Sequence, residues 1–259
     1  WHTFYGSSIA YGFDITTDSA DNIYVTGLSY DSWTGPGPAS DPPLNAHSGA
    51  TSDIFVLKLG SDGAYQWHTF FGVDSGVHEG SGITTDSNNN VYVSGFSEDT
   101  WNGPPASSEA PLNAYSGTSG RDIVVIKLDS AGAYQWHTFY GAADADDESF
   151  ILDADASDNI VVGGYSNETW DGPTADSPNH LHSGGKEIVV MKLDSDGAYQ
   201  WHTFYGSSAA DEVRGVKTDD AGNIFACGNS TATWNAGAVL PLHAYSGSAD
   251  HVILKLKYG

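Results

Sequence analysis
The chain has 259 residues, with 33 Asp and Glu against 9 Lys and Arg, a formal charge of −24. A surface this acidic excludes sequence-independent nucleic-acid binding, which needs a basic footprint, and docking on anionic lipid. It suits cation binding, or solubility in salt. The single cysteine, Cys227, excludes an intrachain disulfide and any multi-cysteine metal site, and is expected to be a small buried thiol. No apolar run approaches the roughly 20 residues of a membrane helix.

Self-similarity dominates the sequence. Trp-His-Thr-Phe opens at Trp1, Trp67, Trp136 and Trp201, in steps of 66, 69 and 65 residues. The repeats therefore run about 1–66, 67–135, 136–200 and 201–259. Within each, strands are expected in the same order. In the second repeat they fall at about 81–86, 90–97, 122–129 and 133–141, on β-branched and aromatic runs punctuated by turn residues. Asp/Asn/Gly clusters, as at Asp18–Asn22 and Asp86–Asn90, make the first hairpin. Ser-Asp-Gly or Ser-Ala-Gly (61–63, 130–132, 195–197) makes the last, with Gly supplying a positive φ. No segment has a sustained helical period.

Four-stranded units repeated in series are propeller blades. The expected fold is all-β: one domain over 1–259, a four-bladed propeller of four-stranded antiparallel blades. The chain starts at a fourth strand and stops just after a third. Residues 1–6 are therefore expected to complete the last blade, close the ring and hide two sheet edges. The start at Trp1, already inside a repeat, reads as a mature or trimmed form.

The pattern Gly-Ile-x-x-Asp-x-x-x-Asn-Val-Tyr-Val-x-Gly recurs, followed by Asp-Ile-x-Val-x-Lys-Leu and an aromatic strand ending in Gly. This order resembles the SBBP β-propeller repeat over essentially the whole chain. The resemblance implies an exported or cell-surface protein and brings no catalytic residues. The family name implies seven blades, where this chain has four repeats.

Candidate chemistry is spread over all four repeats. Trp67, Trp136 and Trp201 are expected to pack between blades, with His68, His137 and His202 as structural histidines. Lys58, Lys127, Lys192 and Lys255 are expected to pair with carboxylates such as Asp53, Asp122 and Glu187. The long loop after the second strand carries Trp33, Trp101, Trp170 or Trp234, then a His/Tyr-Ser-Gly element at His47, Tyr115, His182 or Tyr245. Two readings stay open. Either each loop folds back on its blade as a small core, or the aromatics form a sugar-binding platform.

The connection Asp144, Asp146, Asp147 and Glu148 offers clustered oxygens of the kind Ca²⁺ takes, with solvated acidic loops as the alternative. Asn167-Glu-Thr and Asn229-Ser-Thr are glycosylation sequons. There is no Gly-x-Ser-x-Gly elbow and no His-Glu-x-x-His. The function expected is a non-catalytic extracellular structural or adhesive module, assembling with copies of itself or with surface polymers. A lectin-like module and a polysaccharide hydrolase or lyase are the alternatives.

Overall fold
The computed structural model describes residues 1–37, 41–49, 51–104, 108–236 and 239–257. The last two positions of the expected domain, 258 and 259, lie outside the described residues. Fifteen strands follow one another: β1 (Ala10–Thr17), β2 (Ile23–Ser29), β3 (Asp53–Leu59), β4 (Tyr65–Phe71), β5 (His78–Thr85), β6 (Val91–Ser97), β7 (Asp122–Leu128), β8 (Tyr134–Tyr140), β9 (Asp147–Ala154), β10 (Ile160–Ser166), β11 (Glu187–Leu193), β12 (Tyr199–Tyr205), β13 (Asp211–Thr218), β14 (Ile224–Ser230) and β15 (Asp250–Leu256). They form four sheets in simple sequence order: β1–β4, β5–β8, β9–β12 and β13–β15. The protein is all-β over its described residues, and its sheets have the make-up of propeller blades. The strands expected in the second repeat lie within a few residues of those found.

The local chemistry repeats from sheet to sheet. In the first hairpin Asp18 Oδ1 accepts from the N–H groups of Ala20 and Asn22 (2.9 and 2.9 Å), and Oδ2 accepts from Asn22 Nδ2 and Tyr24 OH (2.8 and 3.0 Å). Asp86, Asp155 and Asp219 hold their turns in the same way. The left-handed turn position is filled by Asp21, Asn89, Asp158 and Gly222. Gly63, Gly132 and Gly197 have φ of 85°, 84° and 82°, as the last turn of each repeat requires.

Each first strand carries a β-bulge at Phe13, Ser81, Phe150 or Arg214. Opposite it stands a glycine (Gly27, Gly95, Gly164, Gly228). A Cβ there would run into the carbonyl oxygen of Tyr11, Glu79, Glu148 or Glu212. These four glycines let the second strand pass the bulge.

The chain divides into two compact units, Trp1–Tyr115 with Ile123–Phe139, and Ser116–Asp122 with Tyr140–Gly259. In the first, Tyr24, Ile54 and Val56 of one sheet share a core with Ile83, Val91 and Val93 of the next. Asp14 Oδ2 accepts from Ile83 N (2.9 Å) and Thr17 O from Thr85 Oγ1 (3.0 Å). In the second, Val161, Ile188 and Val190 pack with Val213 and Val216. There Asp153 Oδ2 accepts from Thr218 N (2.8 Å) and Asp153 Oδ1 from Lys217 Nζ (2.6 Å).

The last sheet has three strands among the described residues and residues 1–6 are not a strand, so the expected closure by that segment is not shown. Two expectations change. Cys227 is exposed rather than buried, on the face of β14 that also exposes Phe225 and Asn229. Lys58 and Lys192 pair with hairpin carboxylates rather than with those at the start of the third strands. Lys192 Nζ lies 2.8 Å from Asp155 and Lys58 Nζ 3.8 Å from Asp18, both hairpin residues. Asp53, Asp122 and Glu187 instead accept from the N–H and hydroxyl of Ser48, Ser116 and Ser183.

Candidate functional site
The long loops turn back onto their own sheets. Leu44 N donates to His68 O and Phe70 N to Asn45 O (2.9 and 3.1 Å), so the loop runs along the free edge of β4. Residues 112–113 do the same on β8 and 179–180 on β12. An exposed strand edge is an invitation to pair, and these loops cover three of them.

The loop tryptophans are held inside. Trp33, Trp101 and Trp170 are each 6% exposed. Each lies flat on a histidine of the fourth strand: Trp33 on His68, Trp101 on His137 and Trp170 on His202, at 3.7, 3.9 and 3.8 Å between ring centroids. Phe70, Phe139 and Phe204 close each stack edge-on. The histidine Nε2 lies 3.0, 3.0 and 3.1 Å from the carbonyl oxygen of the tryptophan it stacks on. A carbonyl can only accept, so Nε2 carries the proton. Nδ1 then accepts from Tyr65, Tyr134 or Tyr199 OH at 2.8, 2.6 or 2.7 Å. Burial pushes His137 and His202 down to about 4, and lowers His68 as well. All three are neutral struts, as the sequence suggests.

The tyrosine partner is the part sequence alternation hides. Strict alternation puts Tyr65 on the Trp67 face, away from His68. A bulge at Gln66 shifts the phase and brings Tyr65 round to the histidine, and one at Gln200 does so for Tyr199. The signal was available as Tyr-Gln-Trp-His in three repeats.

Trp234 differs. It is half-buried, no histidine stacks on it among the described residues, and its Nε1 donates to Asp211 Oδ1 and Ser230 Oγ (3.1 and 2.9 Å). His47 and His182 lie on Phe70 and Phe204 and reach the carbonyls of Ser29 and Ser166 (2.9 and 3.2 Å). Tyr115 OH donates to Glu98 O (3.2 Å). Tyr245 is half-buried.

The acidic connection is dispersed. Asp144 is exposed and its Oδ1 accepts from the N–H and hydroxyl groups of Thr118 and Ser119. Asp146 gives its backbone carbonyl to Asn167 N (3.2 Å). Asp147 is fully buried and its Oδ2 accepts from Ala142 N (2.7 Å). Glu148 pairs with Arg121. Among the described residues no three His, Cys, Asp or Glu come together as a metal site. Asp122 and Asp147 flank Gly141, and burial raises them to about 6 and about 7. Asn167 and Asn229 are both exposed, the second within β14.

Four sheets of one internal pattern are consistent with propeller blades, and the comparisons find propeller repeats of the same kind. Residues 66–97 match the family model described as Beta-propeller repeat, SBBP. The chain is also similar to an uncharacterized WD repeat-containing protein of Acanthamoeba polyphaga mimivirus, 24% identical over 191 residues. That match covers 66% of this chain and 14% of the relative, so the chain spans about a seventh of that protein's length.

Proposed function
We propose that the chain is a non-catalytic structural or adhesive propeller module of an exported surface protein. In this reading the four sheets are the blades of one propeller. A Trp-His-Thr-Phe-Tyr strand of the kind at residues 1–6 completes the last blade and closes the array. The module assembles with copies of itself or with surface polymers, and calcium on the acidic connections would rigidify it.

One observation carries the reading: the side chains capable of chemistry are occupied by the same internal contacts in repeat after repeat. The stacked histidines face tyrosine and carbonyl partners, and the carboxylates at the strand starts hold loop serines. The burial of Trp33, Trp101 and Trp170 favours a structural role for the loops over a sugar platform. The charge of −24 and the SBBP resemblance support an exported setting.

The test is incubation of the protein with a panel of acidic and neutral surface polysaccharides, followed by both cosedimentation and chain-length analysis. Cosedimentation or self-association without shortening of any polymer is the expected result. Shortening abolished by a single carboxylate change, such as Asp147→Asn, would overturn the proposal.

A further inference from the structure
The chain holds two Asn-x-Thr triplets, Asn167-Glu168-Thr169 and Asn229-Ser230-Thr231. In sequence they are equal candidates for an N-linked oligosaccharide. Each has the side-chain amide and, two residues on, the hydroxyl that a transferase reads. The fold treats them differently.

Asn167 stands in the turn that follows β10. This turn is built the same way in all four repeats: the serine that ends the second strand donates its hydroxyl to the carbonyl two residues on. Ser29 reaches Asp31 O, Ser97 reaches Asp99 O, Ser166 reaches Glu168 O and Ser230 reaches Ala232 O, at 2.8, 2.6, 2.6 and 2.9 Å. The residue after that serine has a structural task in the second repeat, where the Glu98 carboxylate accepts from Val77 N at 3.0 Å. Asn167 occupies the same position without such a contact. Its backbone N–H donates to Asp146 O (3.2 Å). Among the described residues its side-chain amide bonds nothing, and neither does the hydroxyl of Thr169. Asn167, Glu168 and Thr169 are exposed in a row, between buried Ser166 and buried Trp170.

Asn229 lies inside β14. It pairs with Glu212 of β13 and His251 of β15, and Ser230 pairs with Asp211 and Asp250. Thr231 N donates to Ala210 O (3.1 Å), and the Thr231 hydroxyl lies 3.0 Å from both Ala210 N and Ala210 O. The Asn229 side chain is exposed, but the hydroxyl of its triplet is occupied and its backbone is held on both sides.

We propose that Asn167 carries an N-linked oligosaccharide and that Asn229 does not. This rests on the reading above that the module is exported, and it names the point at which sugar is joined to it. The donor is an oligosaccharide linked to a polyprenyl diphosphate. Asn167 Nδ2 forms a bond to the anomeric carbon, and the bond from that carbon to the diphosphate oxygen breaks. The lipid diphosphate leaves with the electron pair, and a base of the transferase takes the amide proton. The Thr169 hydroxyl is the contact by which the transferase recognises the triplet.

The triplet must leave the protein surface to enter the transferase. At Asn167 that parts the bond to Asp146 O and the links between Ser166 and Glu168. At Asn229 it strips the end of β14 from both neighbouring strands. Local opening of a paired strand is far rarer than opening of an exposed turn.

The test incubates the purified full-length chain with a reconstituted oligosaccharyltransferase and its polyprenyl-diphosphate donor. Occupancy is read by intact mass and by peptide mass mapping. One oligosaccharide per chain is expected, with occupancy at Asn167 at least about tenfold above that at Asn229. Asn167→Gln and Thr169→Val are each expected to abolish it, and Asn229→Gln to leave it unchanged. Equal occupancy of the two triplets, or none at Asn167, overturns the inference. The same mapping on the chain recovered from the cells that make it separates the two causes of failure. A chain modified in vitro but bare from cells overturns the inference through the exported setting. A chain that stays bare in vitro overturns it at the acceptor and leaves that setting standing.

The unmodified protein gives a second measurement that depends on no variant's folding. The backbone amides of Glu168 and Thr169 are expected to exchange with deuterium at least about tenfold faster than those of Asn229 and Ser230. Equal protection overturns the inference.

Discussion
The second sheet and the last are written in nearly the same letters and meet different surroundings. All seven residues of β6 are buried, while β14, its counterpart, alternates buried and exposed from Ile224 to Ser230. β7 is buried but for one half-buried position, whereas β15 is buried only at Leu254 and Leu256. A strand pattern determines which residues share a face, and a neighbouring sheet determines whether that face is dry. The last sheet has kept apolar residues such as Phe225 and Ile253 at positions that only a neighbour can bury. Exposed apolar groups grouped on one face mark a contact surface.

The comparison is sharpest at one repeat position. Tyr92 is fully buried, packs 6.1 Å from Trp136 and donates to Asp86 Oδ2 (3.0 Å). Tyr92→Ala is expected to cost about 3–5 kcal/mol in urea unfolding, the range for a large core aromatic. Phe225 is 37% exposed, and Phe225→Ala in dilute protein is expected to cost about 1 kcal/mol. Equal costs would break the comparison and mean that the face of β14 is already covered in dilute solution.

Acid separates the two regions next. His137 and His202, buried in the stacks, are held near 4 against an ordinary value of 6.5. Between those values the unfolded chain binds protons that the folded chain refuses, so the stability they support is full above pH 6.5 and is lost as pH falls toward 4. Asp122 and Asp147, raised to about 6 and about 7, act in the opposite sense. The folded chain holds their protons where the unfolded chain has released them, so their effect on stability worsens as pH rises from about 4 to 7. Asp147→Asn is therefore expected to raise stability at pH 8 by about 1–3 kcal/mol and to leave a steeper histidine slope below pH 6.5. Unfolding free energies of wild type and Asp147→Asn at pH 4, 6 and 8 test this, and parallel curves would refute it.

Much of this was legible in the residues. The four repeats, the strand order, the Asp-Asn hairpins and the structural histidines all follow from local rules that act within a repeat. What alternation could not show were the bulges at Gln66 and Gln200, where one unpaired residue rephases the strand and joins tyrosine to histidine. Nor could it show the partners of the lysines. Lys58 and Lys192 go to the hairpin carboxylates Asp18 and Asp155, while Asp53, Asp122 and Glu187 hold loop serines. The exposure of Cys227 was hidden for a third reason. It occupies a position whose counterparts are buried, and its own environment depends on what lies beyond the sheet.

The smallest expected difference lies in the first hairpin. Asn89 takes the left-handed position at φ 63°, and its Oδ1 also accepts from Ser19 N of the preceding sheet (3.0 Å). Gly222 takes the same position in the last sheet at φ 75°, and a Cβ there would meet nothing within 4 Å. Asn tolerates this conformation, and it restricts the unfolded chain more than glycine does. Gly222→Asn is expected to stabilise by about 0.5–1 kcal/mol, because its amide can approach Ala156 N, the counterpart of Ser19 N, as Asn89 approaches Ser19. Asn89→Gly is expected to lose a similar amount, since the freed backbone no longer has the link to Ser19. Thermal unfolding of the two variants checks the opposite signs. If Gly222→Asn destabilises instead, the hairpin of the last sheet does not stand to the third as the second stands to the first. The equivalence of the sheets would then end at that turn.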